Sequence, residues 1–124
     1  MKQKKNTPFS FTARARSFNY AFDGIKNFFR QEHNARIHMV ATTVVIVLSF
    51  VLSVSAMEAV ALVFTVGLVW VAEIFNTAIE KMADFISAEK DPVIKTIKDL
   101  SAAAVLIAAV IAVITGCFIF IPKL

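Results

Sequence analysis

The sequence predicts an all-α membrane protein, with an N-terminal amphipathic surface helix, three transmembrane helices and a cytoplasmic N-terminus. Three observations predict it. Of the 124 residues, 58% are hydrophobic and 18% charged, and the mean hydropathy is +0.72. A soluble chain of this size does not need so much apolar surface. The apolar residues fall into three runs, about 37–54, 59–80 and 100–121, close to the ~17–25 residues that a helix needs to cross a bilayer. Lys and Arg are distributed unevenly: eight of thirteen lie in the first 36 residues, four more between 81 and 98, and none in the 55–58 turn. The positive-inside rule then puts the N-terminus and the 81–98 segment in the cytoplasm and the C-terminus outside.

The elements follow in order. Residues 1–8, with Lys2, Lys4 and Lys5, read as a flexible basic tail. No cleavable signal peptide is visible, because a long basic segment precedes the first apolar run. Over 9–30, Phe11, Ala15, Phe18, Phe22, Ile25 and Phe29 form one stripe at helical spacing. Arg16, Tyr20, Asp23 and Asn27 lie opposite. That pattern suits a helix lying on the membrane, its Phe face in lipid. Arg16 and Tyr20 are either its wet side or contacts for phosphate or nucleotide.

Arg30-Gln-Glu-His-Asn-Ala-Arg-Ile-His38 is a dense polar cluster just before the first span, with Glu32 as its one carboxylate. His33 and His38 are five apart, which splays them on a helix, and no Cys or carboxylate set completes a zinc site with them. Ser53, Ser55, Met57 and Glu58 make a short turn to the second span. Lys81 to Lys98 reads as a polar loop. Ser101-Ala-Ala-Ala104 opens the third span with residues small enough for close helix approach. Cys117 is the single cysteine, so no intramolecular disulfide exists. The net charge of +4 gathers at the membrane edge, which points to anionic headgroups and not to nucleic acid.

The second span runs without Gly or Pro into Glu73, Asn76, Thr77, Glu80 and Asp84, at offsets 0, 3, 4, 7 and 11 along one helical face. At ~1.5 Å rise per residue, Glu80 lies roughly 10 Å along the axis from Glu73. With Glu80 at the membrane edge, Glu73 is inside the hydrocarbon, where an acid is costly and marks function. Three jobs fit these residues. The first is phosphoryl transfer with Mg²⁺, which favours one or two carboxylates plus phosphate oxygens. Glu32 and Glu80 are then ligands, Asn76 an orienter, Lys98 a phosphate partner and Glu73 the general base for a lipid hydroxyl. The second is proton- or cation-coupled transport by a small oligomer using Glu73. The third is structural, with these groups satisfying one another between helices. No glycine-rich phosphate loop and no protein-kinase signature is present, so a nucleotide would be held by side chains at helix ends.

The run Glu73-x-x-Asn76-Thr77-Ala78-Ile79-Glu80-x-x-x-Asp84, followed by Lys98-Asp99-Leu-Ser-Ala-Ala-Ala-Val, closely resembles the small prokaryotic integral-membrane lipid kinases. That family contains the diacylglycerol kinases and undecaprenol kinases. The likeness covers nearly the whole chain as one kinase domain, residues 1–124. It implies an ATP-dependent lipid kinase phosphorylating the hydroxyl of undecaprenol or diacylglycerol, multi-pass in the bacterial inner membrane. It implies a homotrimer with active sites shared between subunits, ATP as co-substrate and Mg²⁺ as metal. On matching positions, the resemblance makes Glu73 the catalytic base and Glu32 and Glu80 the metal ligands. Asn76, Lys98 and Asp99 belong to the catalytic and nucleotide site. Tyr20 matches a nucleotide-contacting tyrosine, and Arg16 lies near a displaced basic position where Ala13 stands for the Arg of some members. Glu89 matches the first residue of a family Glu-x-His nucleotide motif whose third position is here Asp91. Asn34-Ala-Arg-Ile-His38, the Asn-Thr form of the motif and the Phe-Ile-Pro-Lys-Leu end are more similar to the undecaprenol kinase branch.

Overall fold

The computed structural model describes residues 8–87 and 90–124. The expected basic tail lies outside the described residues, except for Pro8. The chain forms helices α1 (Phe11–Gln31), α2 (His33–Val51), α3 (Ala56–Ile86) and α4 (Pro92–Phe120), closed by a 3₁₀ turn over Ile121–Lys123. No strand occurs among the described residues. Three of the helices are long and apolar enough to cross a membrane. The chain divides into two compact units, the first ending at Gln31 and the second running Glu32–Leu124.

The first unit is α1. Its Phe11, Phe18, Phe22 and Ile25 are exposed, as are Arg16 and Tyr20 on the other face. The helix stops at Glu32, whose backbone is extended with φ −103° and ψ 119°. Glu32 is the N-cap of α2, yet its side chain makes no capping bond, which leaves the carboxylate for other partners.

Within the second unit, α3 packs chiefly against α4 and only lightly against α2. The buried residues of α3 are Leu62, Thr65, Val69, Glu73, Asn76, Thr77 and Ala83. From Leu62 to Asn76 they recur every three or four positions, and Ala83 lies seven beyond Asn76 on the same face, so one stripe of α3 is the spine of the unit. At the end opposite the acids, Leu62, Ile119 and Phe120 pack together with Val45, Leu48, Leu52 and Val54. A tight turn closes that end. Ser53 takes φ +51°, a left-handed conformation that L-residues pay for. Ser55 then caps α3 in a reciprocal box: its Oγ accepts from the Glu58 N–H at 3.1 Å, and Glu58 Oε1 accepts from the Ser55 N–H at 2.9 Å. Lys123 reaches the same Glu58 carboxylate at 3.1 Å and ties the end of the chain to the turn.

The connection between α3 and α4 is shorter than the expected loop over 81–98. α3 continues to Ile86, because Glu80-Lys81-Met82-Ala83 are strong helix formers and no Gly or Pro interrupts them. α4 begins at Pro92, which suits the first turn of a helix, with Asp91 as its cap. Its Oδ1 accepts from the N–H groups of Val93 and Ile94 at 2.8 and 3.3 Å. At 31 residues and ~1.5 Å each, α3 is longer than the ~30 Å of hydrocarbon it crosses.

Candidate active site

The acid-bearing face of α3 grades from buried to exposed. Glu73, Asn76 and Thr77 are buried, Glu80 is half-buried and Asp84 is exposed. The Glu73 side chain is only 5% accessible. His38 on α2 supplies its one hydrogen-bond partner among the described residues, with Nε2 and Glu73 Oε1 2.7 Å apart. With the carboxylate ionised and so only an acceptor, the contact is the imidazole Nε2–H donating to Oε1. One turn on from His38, Thr42 Oγ donates to the His38 carbonyl at 2.7 Å and accepts from the Trp70 indole N–H at 3.0 Å. The Trp70 ring lies edge-on to the imidazole, with centroids 6.0 Å apart. An apolar groove of about 440 Å³, lined by Val45, Val69, Trp70, Ala109 and Gly116, runs up to His38.

Asn76 is fixed from α4. The Ser101 hydroxyl donates to Asn76 Oδ1 at 2.7 Å. That bond assigns the amide orientation and directs Nδ2 with its two hydrogens elsewhere. Nδ2 has no partner among the described residues. The same hydroxyl lies 3.0 Å from the Lys98 carbonyl, its alternative acceptor.

Toward the helix ends the charges pair. Lys98 donates to the carboxylate of Asp84, and Lys95 reaches Asp99 at 2.6 Å, one turn along α4. Lys81 of α3 comes within 3.9 Å of Glu32, bringing Glu32 beside the turn that carries Glu80. Glu80 itself has no ion pair among the described residues. A cleft of about 570 Å³ is bordered by Asp84, Lys90, Asp91, Lys95 and Lys98. No group of three or more His, Cys, Asp or Glu side chains assembled to hold a metal occurs among the described residues.

The structure thus brings together Glu73 and Asn76 on one buried stripe, Glu80 and Glu32 at its edge, and Lys98 and Asp91 around the cleft. Asp99 is exposed and turned to Lys95. Asp91 spends one carboxylate oxygen on capping α4. Arg16 and Tyr20 stand exposed on α1 in the first unit. Glu89 lies outside the described residues. Sequence reasoning missed His38, considered only as a metal ligand, and Ser101, considered only as a small packing residue. Their partners stand 35 and 25 positions away, and no local pattern reports a pairing at that separation.

Residues 19–120 match the family model described as prokaryotic diacylglycerol kinase. The chain is 37% identical to an undecaprenol kinase from Bacillus subtilis over 88% of this chain and 89% of that protein. It is 35% identical to a diacylglycerol kinase from Escherichia coli K12, over 92% and 93%. A diacylglycerol kinase from Pseudomonas aeruginosa is 30% identical over 82% and 83%. The fold and these matches define a multi-pass membrane phosphotransferase with an alcohol as acceptor. The chain belongs to the prokaryotic diacylglycerol kinase family and is a lipid kinase. Nothing in the site favours the transport alternative.

Proposed function

We propose that this lipid kinase moves the γ-phosphoryl group of ATP to the primary hydroxyl of a membrane lipid at the cytoplasmic face of the bacterial inner membrane, with Glu73 as the general base. The observation that carries the reading is Glu73 itself. It is a carboxylate with 5% accessibility, held at 2.7 Å by one imidazole, at a depth where an unused acid is expensive. The groove that ends at His38 offers an apolar chain a path to that depth. A lipid hydroxyl delivered there meets a nearly buried base, and general-base catalysis of this kind contributes about 10²- to 10⁴-fold.

Asn76 Nδ2 and the lysines around the cleft are the groups for phosphate oxygens. Lys90, Lys95 and Lys98 border one space. Two of them are already turned to carboxylates, Lys98 to Asp84 and Lys95 to Asp99, so nucleotide binding exchanges those partners for phosphate. Arg16, Tyr20, Glu89, Asp91 and Asp99 are proposed as further nucleotide contacts, Asp91 through the oxygen that does not cap α4. Glu32 and Glu80 fit Mg²⁺, because both offer oxygen donors, Glu32 is not used as a cap and Glu80 has no ion pair among the described residues. When bound, Mg²⁺ would neutralise charge developing on the transferred phosphate. A homotrimer with sites shared between subunits fits the wide apolar surface left by one chain: only 6%, 22% and 17% of the most apolar windows of the three spans are buried.

The acceptor that we favour is undecaprenol, since the B. subtilis relative carrying that name is 37% identical and covers most of both chains. Diacylglycerol is the second reading, favoured by the E. coli relative at 35%. The test is transfer of labelled γ-phosphate to each lipid by purified protein in detergent. Faster labelling of undecaprenol is expected. Faster labelling of diacylglycerol assigns the second acceptor, and labelling of neither defeats the reading.

A further inference from the structure

We propose that His38 is a positioning residue for phosphoryl transfer: its Nε2–H holds Oε1 of the Glu73 carboxylate so that Oε2 faces the acceptor hydroxyl. This rests on the reading of Glu73 as the base.

A glutamate carboxyl on its own turns about its last bond, and its two oxygens exchange places. A base must instead present one lone pair along the line of the proton it takes, at about 2.6–3.2 Å. In this chain a single group removes that freedom. His38 Nε2 lies 2.7 Å from Oε1, and Glu73 has no other hydrogen-bond partner among the described residues. The imidazole has the Trp70 ring edge-on beside it, with centroids 6.0 Å apart. Thr42, one turn on, links the two helices: its Oγ accepts from Trp70 Nε1 at 3.0 Å and donates to the His38 backbone carbonyl at 2.7 Å. Trp70 and Glu73 are three residues apart on α3, while His38 and Thr42 are four apart on α2. The two pairs therefore face each other across the helix interface. α2 and α3 touch only lightly, and beside the apolar packing of Val45, Leu48 and Leu52 near Leu62 these two hydrogen bonds are the polar ties between them at the carboxylate.

The Nε2–H donates to Oε1 and leaves Oε2 to take the proton. In the step itself, the acceptor O–H gives its proton to Oε2, and the freed oxygen pair forms the new bond to the γ-phosphorus. The bond from that phosphorus to the β–γ bridging oxygen breaks, and ADP leaves with that electron pair. The proton stays on Glu73 until product departs, then passes to water. His38 touches none of the reacting atoms.

The test compares His38→Gln, His38→Asn and Glu73→Gln with the native protein in detergent. Initial rates give kcat and the KM values for ATP and lipid. Thermal unfolding followed by circular dichroism checks the fold. The Gln amide N–H reaches about where Nε2 does, whereas the Asn amide stops a bond short; both are polar, and Asn matches His in helix propensity while Gln is the better helix former. Expected are a kcat within about threefold for His38→Gln and a fall of about 10- to 100-fold for His38→Asn, the scale at which a small misplacement costs rate, with both KM values within about twofold. Equal kcat in the Gln and Asn variants, or a loss that appears in KM, overturns the positioning role. Full activity in Glu73→Gln instead overturns the base assignment beneath it, whatever the His38 variants do.

Discussion

At the scale of single residues, the proposed reacting group, Glu73, is distinct from the groups that hold its neighbours in place. Glu80→Ala should raise the Mg²⁺ concentration needed for half-maximal rate steeply while leaving unfolding unchanged. A Mg²⁺ titration checks this, and an unaltered requirement removes Glu80 as a ligand. Asn76 and Ser101 predict an asymmetry. Ser101→Ala strands a buried Asn76 Oδ1 and should cost about 1–3 kcal/mol of stability. In Asn76→Ala the Ser101 hydroxyl still has the Lys98 carbonyl as acceptor at 3.0 Å. That variant should lose less stability but more kcat, because it removes the free Nδ2. Denaturant unfolding and initial rates on both variants read the difference. At this scale the sequence was half legible. The offsets of Glu73, Asn76 and Glu80 follow from helical periodicity alone, and a buried acid in an apolar run advertises itself. His38 and Ser101 did not, since each looks ordinary within its own helix and gains its role only from a partner on another.

At the scale of elements, the caps decide where helices start, and they divide structural from functional acids. Ser55→Ala breaks the capping box on α3 and should cost about 1 kcal/mol, with rates unchanged. Asp91 is the more informative position. Asn also caps helices well, so Asp91→Asn should keep the stability of α4, whereas Asp91→Ala should cost about 1 kcal/mol. A rise in the ATP KM of the Asn variant at unaltered stability then marks a nucleotide contact by the remaining charge; an unaltered KM leaves Asp91 as a cap only. The α3–α4 connection shows why the sequence misled at this level. Lys, Glu and Asp from 81 to 98 look like a solvated loop by polarity, yet most of those residues are good helix formers, and a helix that leaves the bilayer needs no apolar face. Composition reported the polarity of the segment but not that α3 runs on to Ile86 and α4 starts at Pro92.

At the scale of the whole molecule, three apolar helices and their mostly exposed apolar residues describe a multi-pass membrane chain, and the homotrimer is the proposed cover for part of that surface. Native mass spectrometry from detergent should find three chains per particle, and a monomer with full turnover would remove the shared-site proposal. The span count was legible because crossing a bilayer needs about 20 consecutive, mostly apolar residues. The packing of α3 against α4 over α2 was not, because apolar side chains at every position leave hydropathy with no face to choose. What unites the scales is one carboxylate at one depth. The most direct measurement is therefore the rate at which the purified Glu73→Gln variant labels lipid from γ-labelled ATP, beside the native protein and with circular dichroism showing equal helix content. Loss of a positioned general base predicts a fall of about 10²-fold or more. Native-like labelling by the folded variant would contradict the account.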